Sequence, residues 1–165
     1  FGVVLFFGVE IGILAGVVLS VLFYLIRTSQ PHVAVLGRVN DQGHFRNVDR
    51  YETEHYPNLL ALRIDESLFF VNTSYIESTI TEQLKKHAQS EHLLLVLSGV
   101  NYIDSSALET LEHIVDELKD RGISVHLAEV KGPVMDKLQR TTFIEHLGPG
   151  QVFLSTEQAF STLAK

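Results

Sequence analysis

The chain has 165 residues, no cysteine and a formal net charge of -7 at pH 7. This length usually forms one domain with a real hydrophobic core. Nucleic-acid affinity comes largely from lysine and arginine side chains that neutralise phosphates, so the acidic balance argues against nucleic acid as a partner. The absence of cysteine excludes a disulfide framework and a thiolate metal site.

Residues 3–26 form an apolar run whose only side chain charged at neutral pH is Glu10. At about 1.5 Å rise per residue, a helix of this length crosses a hydrocarbon core of about 30 Å. The apolar side chains favour insertion by roughly -5 to -10 kcal/mol, which exceeds the cost of about 3 kcal/mol for one central charge. A signal peptide fits poorly, since no basic stretch precedes the run and no cleavage site follows it. The sequence predicts a transmembrane helix within residues 1–28 and a soluble domain over residues 29–165.

Small residues recur every four positions on one side of this helix and predict close packing of another helix. They are Gly8, Gly12, Gly16 and Ser20. Glu10 lies about 140° around the helix axis from the centre of this stripe. A carboxyl group facing lipid is costly, so we expect Glu10 to meet protein or water as an intramembrane polar site. The alternatives are chance glycines in an apolar run and a neutral carboxyl near a helix end. Both predictions need neighbouring helices that this chain lacks, and a first residue of Phe1 rather than methionine agrees with a fragment of a multi-span protein.

Hydrophobic periodicity in the soluble part predicts an α/β fold with a mixed sheet. The predicted strands cover residues 32–39, 59–65, 68–72, 93–97, 123–130 and 151–155, with a long loop over residues 40–58. The predicted helices cover residues 74–89, a segment through Leu108 and Leu118, a third from Gly132 through Phe143, and a last one after Ser155. Ser155 and Gln158 have the spacing of a capping box. Repeated strand-helix-strand units require right-handed crossovers and place helices on the sheet.

The turn formed by Asp104, Ser105 and Ser106 joins a buried strand to the following helix. All three side chains can accept backbone N–H groups of the first helical turn, and Ser106 has capping-box spacing to Glu109. A helix N-terminus also presents free N–H donors and the positive end of a dipole, where a phosphate can be held or attached. Two alternatives stay open, namely a cap alone and a cap that is also a control point.

Four blocks of sequence resemble a known family. The run LLLVLSGVNYIDSSALETLEHIVDEL resembles the signature of STAS domains, which occur in anti-sigma-factor antagonists and in the C-terminal tails of SulP sulfate permease-like transporters. The blocks LRIDESLFFVNTSYIES, GVEIGILAGVVLSVL and VAVLGRV look like the SulP branch in particular. The resemblance implies a STAS-like mixed β-sheet packed with helices, preceded by the last transmembrane helix of a transporter.

The resemblance also implies a function, partners and a location. The expected function is the C-terminal part of a secondary anion transporter of the sulfate, bicarbonate or dicarboxylate class, with the STAS domain as a regulatory, assembly and protein-interaction module. The expected partners are an upstream transmembrane domain of the same protein, the lipid bilayer, a second copy in a homodimer and a cytoplasmic protein at the STAS domain. The expected location is the cell (inner) membrane, multi-pass, with the STAS domain cytoplasmic.

In the antagonist branch, the first hydroxyl residue after the motif aspartate is the phosphorylation site, and it corresponds to Ser105 here. Ala107 stands where antagonists usually have glycine. The alternative function is therefore a membrane-tethered STAS switch resembling these antagonists, controlled by phosphorylation or nucleotide binding. A multi-span region directly before Phe1 would support the permease, and a start codon just upstream would support the switch.

We predict no enzyme activity, no cofactor and no metal. Ser105 lacks a nucleophile elbow and a base held by a third group. His87 and His92 do not recur on one helix face as zinc ligands do. No glycine-rich phosphate loop of either common type is present. The permeation site is expected in upstream helices, where half-helix N-termini hold an anionic substrate.

Overall fold

The computed structural model describes residues 8–39, 44–48, 50–54 and 56–164. Its first element is an apolar helix, α1 (Val9–Ser29), which has the length and hydropathy of a membrane span and whose most apolar window is entirely unburied. Thr28, in the last turn, is its buried residue. The described part agrees with the predicted apolar helix, and the predicted start of that helix lies outside the described residues.

Six strands form one mixed sheet in the described parts of the chain. They are β1 (Val33–Val39), β2 (His44–Asn47), β3 (Leu59–Ile64), β4 (His92–Val96), β5 (Ser124–Ala128) and β6 (Val152–Phe153). Their spatial order is β2-β1-β3-β4-β5-β6. β1 pairs antiparallel with β2 and with β3, whereas β3, β4, β5 and β6 follow one another in parallel. The mixed sheet confirms the predicted fold class.

Helices cover both faces of this sheet. They are α2 (Thr73–Lys86), α3 (Ser105–Asp120), α4 (Gly132–Gln139), α5 (Phe143–Leu147) and α6 (Thr156–Leu163). Leu93 and Leu95 of β4 join the larger core with α2 to α5, while Leu94 and Val96 join a smaller core with α6. Burial on both faces explains why β4 is a continuous apolar run, as is usual for central parallel strands.

The predicted strand over residues 68–72 is wrong. This segment is a turn that leads into α2, and it forms a single parallel bridge between Leu68 and Ile103. Phe70 points outward with 69% of its surface exposed. The apolar run therefore marks one buried anchor at Leu68 next to an exposed aromatic side chain, and not a ladder of strand hydrogen bonds.

The predicted loop over residues 40–58 contains a strand that the pattern did not indicate. β2 is a short polar edge strand, HFRN, whose side chains alternate only between exposed and half-buried. An edge strand with one solvated face gives little periodic signal, which is why it was missed.

The predicted third helix is divided in the structure into α4 and α5. The hydroxyl group of Thr141 donates to the carbonyl oxygen of Leu138 at 2.8 Å and accepts from the N–H of Phe143 at 3.3 Å. Such local side-chain bonds compete with a continuous helix. The predicted cap of the last helix is confirmed, since the Ser155 side chain accepts from the N–H of Gln158 at 3.1 Å.

Candidate functional site

The turn at residues 104–106 lies where β4 has ended and α3 begins. The loop that carries it is held across the ends of the neighbouring strands. The N–H of Leu97 donates to the carbonyl oxygen of Ala128 in β5 at 2.9 Å. At Gly99, an added Cβ would lie 2.6 Å from the carbonyl oxygen of Ile64, so only glycine allows the loop to pass this close to the end of β3. The sheet thus fixes where the turn stands.

Asp104 makes the turn rigid through both of its carboxylate oxygens. Oδ1 accepts from the N–H of Ala107 at 2.8 Å, which caps α3. Oδ2 accepts from the N–H of Phe70 at 2.8 Å. The backbone N–H of Asp104 also donates to the carbonyl oxygen of Leu68 at 3.0 Å. One half-buried carboxylate therefore joins the first turn of α3 to the segment before α2.

The two serines are exposed at the first and second positions of α3. Asp104, not a serine, is the N-cap, so the predicted capping box from Ser106 to Glu109 is wrong. The helical position of Ser106 explains this, because a residue whose own backbone is already helical cannot serve as the cap. Ser105 is consequently a surface hydroxyl group on a fixed helix N-terminus.

Two exposed aromatic side chains and an open groove lie beside this turn. Phe70 and Tyr102 are 69% and 56% exposed. The Lys137 ammonium group lies 5.2 Å from the centre of the Tyr102 ring. The groove has a volume of about 510 Å³ and lies between the loop before α3 and helix α4. Its lining residues are Asn101, Tyr102, Ile103, Pro133, Asp136, Lys137, Arg140 and Thr141. Exposed aromatic groups beside polar ones are typical of protein-contact surfaces, and sequence patterns had not indicated this surface.

The predicted membrane residues lie away from the turn, within α1 or at its N-cap. Gly8 has φ 87° and precedes the helix, whereas Gly12, Gly16 and Ser20 lie within it. An added Cβ at Gly16 would meet nothing within 4 Å among the described residues. The Ser20 hydroxyl group donates to the carbonyl oxygen of Gly16 at 2.8 Å, and Glu10 is exposed in the first turn. The packing and polar roles of these residues remain predictions.

The histidines do not assemble into a metal centre in the described parts of the chain, where no three histidine, aspartate or glutamate side chains are placed to hold one ion. His92 instead contacts His126 of β5, with Nδ1 and Nε2 3.1 Å apart. Burial, followed by the charge of His92, lowers the pKa of His126 to about 4. At Asp65, partial burial opposes the charged form, but hydrogen bonds from Arg63 and His32 outweigh it and lower the pKa.

The comparisons with known proteins agree with this fold. The STAS domain family matches residues 50–159. The chain is 35% identical over 166 residues to "Probable sulfate transporter 4.2" of Arabidopsis thaliana, which covers 94% of this chain and 24% of that relative. The chain thus spans about a quarter of the length of that curated relative. These similarities show that the chain belongs to the STAS domain family.

Two solved structures share the fold. One is the murine Solute Carrier 26 family member A9 anion transporter in the inward-facing state, with a TM-score of 0.84, 19% identity, and coverage of 92% of this chain and 25% of that one. The other is the SulP transporter STAS domain from Vibrio cholerae, with a TM-score of 0.57, 22% identity, and coverage of 70% and 88%. These two structures show the shared fold, and in sequence the chain is similar to the quarter-length segment of sulfate transporters that carries the STAS domain.

Proposed function

We propose that this chain is the C-terminal part of a secondary anion transporter, with residues 1–28 as its last membrane span and residues 29–165 as a cytoplasmic regulatory, assembly and protein-interaction domain. The turn at residues 104–106 is the control point of that domain. The transported anion belongs to the sulfate, bicarbonate or dicarboxylate class, and the permeation site lies in an upstream membrane domain. The protein is multi-pass in the cell membrane and assembles as a homodimer.

The similarity to sulfate transporters supports the assignment to a transporter. The aligned region includes 94% of this chain and therefore most of α1 as well as the soluble domain. A sequence match confined to the soluble domain would fit a free-standing regulator equally well. The length of α1, 21 residues, and its unburied apolar surface are what a bilayer span requires.

The geometry of the turn at residues 104–106 supports its proposed role as the control point of the domain. Asp104 already satisfies the N–H of Ala107, so the Ser105 hydroxyl group is left exposed while the turn around it is fixed. A phosphate on Ser105 would gain from the helix dipole and would also repel the Asp104 carboxylate beside it. That repulsion weakens the two bonds of Asp104, to Ala107 and to Phe70, without touching the core. The exposed Ser105 beside a doubly bonded Asp104 is the observation that carries the proposal.

The test uses the full-length transporter and the variants Ser105→Ala, Ser105→Glu and, as a matched control, Ser78→Glu. Ser78 is exposed on α2, so the control adds the same charge to a helix surface elsewhere. We expect uptake of labelled sulfate or partner binding to change with Ser105→Glu and to stay at the wild-type level with Ser78→Glu. Thermal melting of each variant separates regulation from unfolding.

The proposal fails if Ser105→Glu transports like the wild type and every partner of the wild-type domain still binds. In that event the turn is only a cap. A full-length protein without upstream spans and without anion uptake would favour the rival function, a membrane-tethered STAS switch controlled by phosphorylation or nucleotide binding.

A further inference from the structure

Asn72 is a buried residue whose side-chain amide is hydrogen-bonded to backbone groups of the surrounding chain. It has 0% of its surface exposed. Its Oδ1 accepts from the N–H of Phe69 at 3.1 Å, and its Nδ2 donates to the carbonyl oxygens of Ser67 at 2.9 Å and Thr28 at 3.4 Å. A carboxamide offers two N–H donors and one oxygen acceptor, so these partners use both donors and the oxygen.

The bond to Thr28 reaches the end of the apolar helix. Thr28 lies in the last turn of α1, where the final carbonyl groups have no partner further along the helix. Thr28 is buried, in contrast to the rest of α1. A buried carbonyl group without a hydrogen bond is costly, so the Asn72 amide supplies what the helix end lacks.

Asn72 makes these contacts instead of the one its position favours. It is the N-cap residue of α2, and asparagine is among the best N-cap residues because its oxygen can accept from the first turn. Here the side chain makes no cap bond with α2 and instead bonds to Phe69, Ser67 and Thr28. A local preference that is left unused indicates that another constraint holds the residue.

The same segment is bonded to the control turn. The N–H of Phe70 donates to Asp104 at 2.8 Å, and the backbone of Leu68 pairs with the backbones of Tyr102 and Asp104. A continuous series of hydrogen bonds therefore runs from Thr28 through Asn72 and residues 67–70 to Asp104 and the first turn of α3.

Other hydrogen bonds close to the end of α1 connect strands of the sheet instead. His32 lies 2.7 Å from a carboxylate oxygen of Asp65, and the N–H of Asp65 donates to the carbonyl oxygen of His32 at 3.1 Å. These bonds join the start of β1 to the end of β3, so they stabilise the sheet. They do not reach the last turn of α1, which Asn72 does.

We propose that Asn72 is a positioning residue that fixes the end of α1 against residues 67–72, so that a change at Ser105 alters the membrane helix. The first step of this proposal, the change at Ser105, rests on the proposed control function of the turn. Negative charge at Ser105 loosens Asp104 from Phe70, the turn at residues 67–72 moves, and Asn72 carries this movement to Thr28. Energetic coupling of this kind needs a contiguous packed or hydrogen-bonded path, and these residues supply one.

The experiment is hydrogen exchange measured by mass spectrometry on the full-length transporter in lipid nanodiscs. Asn72→Asp keeps the acceptor for Phe69 and loses both N–H donors. We expect exchange over residues 25–30 to become about tenfold faster, which corresponds to about 1.4 kcal/mol. The matched control is Thr156→Val, which removes a buried hydroxyl bond of 2.6 Å to Glu129 on the opposite face and should leave residues 25–30 unchanged.

Combination with Ser105→Glu tests transmission. We expect Ser105→Glu alone to change exchange over residues 67–72 and over residues 25–30. In the Asn72→Asp background, Ser105→Glu should still change residues 67–72 and should no longer change residues 25–30. If Asn72→Asp does not fold, Asn72→Ser replaces it, because serine can cap α2 but is too short for the contact with Thr28.

The proposal is overturned if exchange over residues 25–30 stays within about twofold of wild type in the Asn72 variant, a difference below about 0.4 kcal/mol. It is also overturned if Ser105→Glu changes residues 25–30 by the same factor in both backgrounds. If Ser105→Glu changes exchange in both segments but leaves transport and partner binding unchanged, the positioning role of Asn72 stands and the proposed function of the turn fails.

Discussion

Removal of the Asp104 carboxylate separates the structural part of the turn from its regulatory part. Asp104→Ala deletes two hydrogen bonds, one to the N–H of Ala107 and one to the N–H of Phe70, each 2.8 Å long. Loss of an N-cap costs about 1 kcal/mol. Loss of a second bond from a carboxylate costs about 1.5 kcal/mol. We expect the free energy of unfolding to fall by about 2 to 3 kcal/mol.

Two related variants should lower the free energy of unfolding by less than Asp104→Ala does. Asp104→Asn keeps one acceptor oxygen and places an N–H donor opposite a backbone N–H, so about one bond is lost at a cost of about 1 kcal/mol. Ser105→Ala changes an exposed residue that does not cap the helix, so its cost should stay within about 0.5 kcal/mol. Glu109→Ala is the matched control, since it removes an exposed carboxylate from the same helix.

Urea unfolding of the chain in detergent, followed by circular dichroism, measures all four variants at one pH and ionic strength. The expected order of destabilisation is Asp104→Ala, then Asp104→Asn, then Ser105→Ala and Glu109→Ala together. A Ser105→Ala cost equal to that of Asp104→Ala would refute the assignment of the cap. An Asp104→Ala cost equal to that of Glu109→Ala would refute the claim that the two bonds stabilise the turn.

Three further predictions concern other parts of the chain. Burial lowers the pKa of His126 to about 4, against about 6.5 in the unfolded chain, so the contribution of the neutral imidazole to the free energy of unfolding is complete above about pH 6.5 and decreases as the pH drops to about 4. Urea unfolding at several pH values should therefore show a shallower acid dependence for His126→Leu, and equal dependence would contradict the argument. Gly12→Leu should reduce transport or folding yield more than Val17→Leu, because only the first lies in the glycine stripe, and equal activity and yield would remove the case for close packing. In gel filtration the 165-residue chain should require detergent, whereas residues 31–165 should be soluble without it. A monodisperse monomer of the 165-residue chain without detergent would disprove the membrane assignment.

Elements with a strong burial pattern were predictable from the sequence. β4 is apolar because both of its faces are covered, and α3 shows a clear stripe because one of its faces is buried. β2 was not predictable, since its stability comes from pairing with β1 and not from a periodic apolar face. The sequence wrongly predicts a strand over residues 68–72, because a buried Leu68 and an exposed Phe70 are both apolar and their burial cannot be told apart in the sequence.

The candidate site was only partly predictable for a similar reason. The motif indicated Asp104, Ser105 and Ser106, and local spacing could not decide which of them caps the helix. The decision depends on Phe70, which is 34 residues away in sequence from Asp104. The role of Asn72 depends on Thr28, which is 44 residues away. Neither separation leaves a local signal.

Asn72 and Asp104 have the same preference for helix starts, and their tertiary partners explain why each is the amino acid it is. Asp104 faces two backbone N–H groups, so it needs two acceptor oxygens, which a carboxylate provides. Asn72 faces two carbonyl oxygens and one N–H group, so it needs two donors and one acceptor, which a carboxamide provides. Asn72→Asp places a charged acceptor against two carbonyl oxygens, and Asp104→Asn places a donor against an N–H group. Because the two residues bond to the same short segment, each of these small changes disturbs the connection between α1 and α3 from one end, and the double variant should cost less than the sum of the single variants.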